Sequence, residues 1–233
     1  RLARRRVNGP RQSRKRAVPA GGRAPSAPPR RVRSDADRPA KERAILDAAL
    51  DVFAESGFAP ARLEEVAARA GVAKGTIYLY FPSKQALFEA LIRTGIGAPI
   101  EAAGEEAAAL ELPFEAVVRG LFARMRREIL ATRRKEIIRL VIAESGRFPE
   151  LAEFYYREVV ARGMALLRAA AERAVARGEL SSDELARFPQ LVVAPGLVAF
   201  LWATLFERFE ALDAEAMLEA HMALLLRPAK AKP

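Results

Sequence analysis

The stretch AGVAKGTIYLYFPSKQALF, residues 70–88, is punctuated too specifically to be plain helix. Gly71 stands where a tight turn needs a positive φ, which glycine adopts at no steric cost. Pro82 cannot continue a helix, and Ser83 behind it is a good N-cap for the next one. The segment between them, Lys74 to Phe81, has room for one short helix. Just upstream, Arg62 to Ala70 buries Leu63, Val66 and Ala67 on one side. Two short helices therefore meet at Ala70-Gly71-Val72, the outline of a helix-turn-helix.

The same pattern extends outward. Ile45, Ala49 and Phe53 repeat at i, i+4 and i+8, the apolar stripe of a supporting helix. Asp37 is placed to cap it, with Pro39 in its first turn. Gly57 suits a left-handed C′ position, and Phe58 is placed to pack back on the helix it follows. After Ser83 a longer helix begins, with Leu87 and Phe88 as its first buried residues.

Taking Ile77 as the core direction of the third helix, Gly75 and Leu79 point about 160° away, with Thr76 and Tyr78 flanking them. That face carries bare backbone, a hydroxyl, a phenol and an aliphatic group, a mixture suited to a DNA major groove. Gly75 permits close approach, Thr76 can bond a base or phosphate, and Tyr78 can touch a thymine methyl or a phosphate. Lys74 can reach a base edge or phosphate, while Tyr80 and Lys84 lie where the backbone would pass. The competing reading makes Tyr78, Tyr80 and Phe81 core aromatics of a helical hairpin; Ile77 and Phe81 are expected in the core on either view.

These residues carry a family resemblance. Residues 41–88, through ILDAALDVFAESGF and LEEVAARAGVAKGTIYLYFPSKQALF, resemble the DNA-binding domain of the TetR family of bacterial transcriptional regulators. The departures are Ala73, where Ser or Thr is frequent, and Ala61 and Arg62, where Thr is frequent. They remove the usual caps and a threonine–phosphate contact, for which the charge of Arg62 is the substitute. The resemblance implies an all-α homodimer that presents two recognition helices to double-stranded DNA. It also implies a C-terminal domain that binds a small effector and moves the heads apart. The run EIIRLVIAESGRFPELAEFYYREVV is similar to the AefR-like subgroup of such domains.

Composition agrees with an all-α fold of about nine helices: 51% of the 233 residues are apolar and none is cysteine. Disulfides, thiolate nucleophiles and cysteine-ligated zinc are excluded, and a reducing, cytoplasmic setting fits. The net charge of +10 is unevenly spread, since residues 1–38 hold 13 Lys/Arg against two Asp and the remainder is close to neutral. Residues 1–36, rich in Arg, Pro and Gly, read as a disordered basic tail able to add salt-sensitive, sequence-blind DNA affinity. The alternatives are a dispensable extension or a translated upstream region. Lacking an apolar h-region, the tail is no secretory signal.

The head is expected at 37–92, an all-helical effector and dimerisation domain at 93–228, and a short tail at 229–233. Further helices are expected near 84–108 (kinked at Pro99), 114–131, 134–145, 149–177, 183–208 and 214–226. Residues 188–206 carry no charge. That is close to a membrane-spanning length, but Pro189, Gln190, Pro195, Gly196 and Thr204 dilute them. A buried or interface helix is the better reading. By the resemblance, helices near 183–208 and 214–226 pair with their twofold mates. An effector cavity is expected among the helices at 114–131, 134–145, 149–177 and the start of 183–208, with Phe122, Met125, Phe154, Tyr155 and Trp202 as candidate lining. Each has core packing as its plainer alternative. The few polar groups in those stripes favour an apolar or aromatic effector.

His221 alone supplies no metal site, so no metal and no cofactor are expected. An all-α enzyme using the C-terminal cavity would have to work without a nucleophile motif such as G-x-S-x-G. An architectural DNA binder dominated by the basic arm is the other alternative.

Overall fold

The structure, a computed structural model, describes residues 37–226, and every regular element among them is helical. The basic tail expected at 1–36 and the tail at 229–233 lie outside the described residues. The chain starts with α1 (Arg38–Ser56), α2 (Leu63–Arg69) and α3 (Lys74–Tyr80). The rest comprises α4 (Lys84–Ile92), α5 (Ala98–Ala109), α6 (Phe114–Arg124), α7 (Lys135–Glu144), α8 (Pro149–Tyr155), α9 (Ala161–Ala176), α10 (Glu184–Arg187), α11 (Gln190–Leu205) and α12 (Ala214–Leu225).

Wide π-type turns at Arg93–Gly97 and Tyr156–Val160 join α4 to α5 and α8 to α9, and a third extends α6 over Met125–Leu130. The described chain thus has nine rods and the single-turn α10. Pro99, where a kink is expected, stands in the opening turn of α5, just after the first of these wide turns. The boundary expected at residue 92 lies where α4 passes into the first wide turn.

Ile45, Ala48, Ala49, Val52 and Phe53 form the buried stripe of α1. Gly57 closes the helix at φ +81°, and its N–H reaches the Phe53 carbonyl at 2.8 Å. Asp37 makes no capping bond through its side chain, so this expectation fails; Pro39 already removes one of the amide donors that a cap would serve. At the head of α4 the cap is real, since the Ala86 N–H donates to Ser83 Oγ at 3.0 Å.

Two cores result. In the first, the rings of Phe53, Phe58, Phe88 and Phe148 lie 5.1–5.6 Å apart, mostly edge to face, a favourable arrangement for aromatic quadrupoles. Ile77 of α3, Ile137, Leu140 and Val141 of α7 and Leu151 and Phe154 of α8 complete it. Polar ties lash α7 and its approach turn along α1. Arg133 pairs with Asp51, Arg139 Nη2 donates to the Ala54 carbonyl at 3.3 Å, and Glu144 Oε1 accepts the Phe58 N–H at 3.0 Å.

The second core is aliphatic and small-residue rich. Phe114, Val118 and Phe122 of α6 meet Leu167, Ala170, Ala171 and Ala174 of α9, with Leu185, Val192 and Met222 closing it. The single helix expected at 183–208 is divided. Phe188 takes φ −127°, ψ 66°, because the proline that follows it disfavours helical backbone. α11 then runs on through Pro195, and on α11, α12 and the flanking turns Phe188, Leu191, Leu197, Val198, Leu205, Phe206, Phe209 and Leu224 stay exposed. Among the described residues no helix is long and apolar enough to cross a membrane.

Candidate nucleic-acid interface

Helix α3 is held by one fully buried residue, Ile77, with Phe81 buried just beyond its end. The turn before it bends at Gly71, φ +67°, where the Val72 N–H reaches the Ala67 carbonyl at 3.0 Å. This anchoring leaves the opposite face of α3 in solvent. Leu79 is 81% exposed and Tyr78 42%, and a β-carbon added at Gly75 would meet no atom within 4 Å. Lys74 is exposed, while Thr76 and Tyr80 are half-buried. Tyr80 lies against Phe81, with the Arg38 guanidinium 5.8 Å from its ring centre.

Lys74 and Tyr78 converge on one acid of α2, Glu64. Lys74 Nζ lies 2.9 Å from Glu64 Oε1, and the Tyr78 hydroxyl donates to the same oxygen at 3.3 Å. The Lys74 ammonium holds the Glu64 carboxyl below the usual range, and Glu64 in turn raises Lys74. No periodicity marks Glu64, because its partners sit on another helix. Arg62 is exposed at the extended residue that opens α2, and α2 has no side-chain cap. Lys84 is partly buried: Nζ donates to the Ala59 carbonyl at 2.6 Å and lies 4.8 Å from the centre of the Phe58 ring. Burial lowers its pKa, with Glu144 opposing the shift. An ammonium has three hydrogens, so this contact leaves two for another acceptor.

The five effector candidates are not gathered around one space. Phe122 and Met125 belong to the second core, Phe154 and Tyr155 to the first. Trp202 lies outside both, edge-on to Phe206 at 5.3 Å and donating through Nε1 to the Glu210 carbonyl at 2.7 Å. Burial pushes the Tyr155 phenol up to about 12. Two open grooves, of about 660 and 480 Å³, run beside α1 and the 131–135 turn; charged side chains line both, and none of the five candidates does. At Gly196 of α11 the Met125 side chain fills the place that a β-carbon would take. His221 joins α12 to α11, Nε2 lying 3.0 Å from the Leu191 carbonyl. Among the described residues no cluster of three or more His, Asp or Glu is arranged to hold a metal.

Two family models match the chain: bacterial regulatory proteins of the tetR family over residues 45–91, and the tetracyclin repressor-like C-terminal domain over 113–227. The chain belongs to the TetR family. Among TetR relatives it is 36% identical over 125 residues to the HTH-type transcriptional regulator RutR of Escherichia coli, covering 52% of this chain and 49% of RutR. It thus spans about half the length of the curated relatives it matches. A TetR-family structure from Mesorhizobium loti superimposes with TM-score 0.65 at 23% identity, over 83% of this chain and 97% of that one. A flavonoid-responsive regulator, FrrA, superimposes with TM-score 0.57 at 27% identity, over 81% and 96%.

Proposed function

We propose that this TetR-family chain is a sequence-specific DNA-binding regulator, working as a homodimer and released from a palindromic operator by a small apolar or aromatic effector. One observation carries the reading: α3 is pinned by buried Ile77 and turns the opposite face outward with an open Gly75 and an 81% exposed Leu79. A core hairpin would have buried that face. Phosphate contacts go to Tyr80, Lys84 and Arg62, base reading to Thr76 and Tyr78 across the space over Gly75, and Lys74 reaches a base edge or a phosphate. The exposed apolar faces of α11 and α12 supply the twofold contact.

We assign the effector to the seam between α6 and α11. There Met125, a flexible and polarisable side chain, occupies the room above bare Gly196 and can yield it to a ligand. The flavonoid response in FrrA's name agrees with an aromatic ligand class. We also propose, from the run at residues 136–160, that this domain is of the AefR-like subgroup; the match of residues 113–227 to the tetracyclin repressor-like C-terminal domain supports the coarser architecture.

Selection of bound duplexes from a random library by the purified protein tests the reading, with two half-sites about one helical turn apart as the expected result. Thr76→Ala and Tyr78→Ala then each cost about 1–3 kcal/mol on the selected duplex and relax the base preference locally. Equal losses on selected and shuffled DNA would refute base reading by either residue.

A further inference from the structure

Glu64 is an anion on the surface that the proposed function turns toward a polyanion. Like charge facing a phosphate backbone opposes binding to every DNA sequence, so on affinity alone the position is unfavourable. Its geometry is nevertheless specific. One carboxylate oxygen holds Lys74 Nζ at 2.9 Å and the Tyr78 hydroxyl at 3.3 Å, the two longest polar side chains on the outward face of α3. Both come from the helix that follows, and Glu64 sits in the first turn of α2, whose buried Leu63, Val66 and Ala67 fix its place.

We propose that Glu64 is a specificity-determining residue: its carboxylate keeps Lys74 and Tyr78 occupied until base-edge acceptors in a matching groove replace it. This rests on the DNA-binding reading above. On mismatched DNA no acceptor repays the loss of the carboxylate, so Lys74 stays paired and contributes no phosphate contact. On a matching duplex, guanine N7 and O6 or thymine O4 take over its donors. Specificity is a difference between two affinities, and holding down the wrong one raises it as surely as improving the right one. The ordering of Lys74 and Tyr78 against α2 also reduces the rotamer freedom lost on docking.

The test measures binding of a duplex selected by the wild-type protein and of a shuffled duplex of equal length, from 50 to 200 mM salt. In Glu64→Ala, Lys74 is free to meet a phosphate. The slope of log K against log salt on shuffled DNA then steepens by about 1, and shuffled binding tightens roughly 5- to 10-fold at 0.1 M salt. The selected-to-shuffled ratio falls accordingly. Glu64→Gln, with the same shape and no charge, moves in the same direction. In a Lys74→Ala background Glu64→Ala leaves the slope unchanged, which separates a held lysine from a bulk change of charge. Circular dichroism confirms that each variant is folded. Unchanged shuffled binding in both single variants, or an equal slope change with and without Lys74, overturns the inference. A wild-type protein that selects no duplex overturns the DNA-binding reading itself.

Discussion

The two cores of this chain are built on opposite principles. The first is finished within one chain: four phenylalanine rings interlock, and α7 brings Ile137, Leu140 and Val141 from far along the sequence to close it. The second is close-packed along the α6–α9 seam but leaves a broad apolar face on α11 and α12 in solvent, Leu197 at 53% and Phe209 at 72% exposure among it. One half of the molecule therefore closes its apolar surface within the chain, and the other leaves exposed the face to which the proposed twofold contact is assigned.

The sharpest way to break this contrast is to empty the finished core. Phe88 is fully buried, with Phe53 and Phe58 at 5.5 and 5.3 Å. Phe88→Ala is expected to cost about 3–5 kcal/mol in denaturant unfolding and to remove DNA binding with it. Next comes the open face. Leu197→Glu leaves the isolated chain's stability nearly unchanged, because the side chain is already half in water. Buried in a dimer contact, the new charge raises the dimer dissociation constant by about 100-fold in sedimentation equilibrium. A monomeric wild type, or a variant that still dimerises normally, would move the twofold contact elsewhere.

Two smaller effects sharpen the boundary between the halves. Glu144→Ala leaves the Phe58 N–H without its acceptor and is expected to lower stability by about 1–3 kcal/mol. Glu144→Gln keeps an acceptor oxygen and recovers much of that loss in the same thermal scan. Last, Lys84→Ala removes the donor to the Ala59 carbonyl and a cation over Phe58, costing about 1 kcal/mol of stability. It also makes the salt slope of DNA binding shallower by about 1. A loss of stability with an unchanged slope would leave Lys84 a structural residue alone.

Local chemistry explains what was legible in the sequence. Gly57 and Gly71 carry the positive φ that turn and cap logic required, Ser83 caps α4, and Ile77 and Phe81 are buried as the helical period placed them. The all-α fold and the count of rods follow from the same periodicity. The misses are of two kinds. Phe188-Pro189 divides the helix expected at 183–208, a backbone effect that hydropathy overlooks; Asp37 fails as a cap where Pro39 follows. The rest are long-range. Glu64 meets Lys74 and Tyr78 across a turn, and Glu144 finds Phe58 from 86 residues away, pairings that no spacing rule encodes. Four of the five effector candidates divide between two cores, and Trp202 joins neither, for the same reason. Each sits on an apolar stripe, and a stripe does not say which interior it faces.

The three ties between α1 and the α7 region advance in step, Asp51 with Arg133, Ala54 with Arg139 and Phe58 with Glu144. Sliding one bar along the other would break every rung together, whereas tipping the joined pair breaks none.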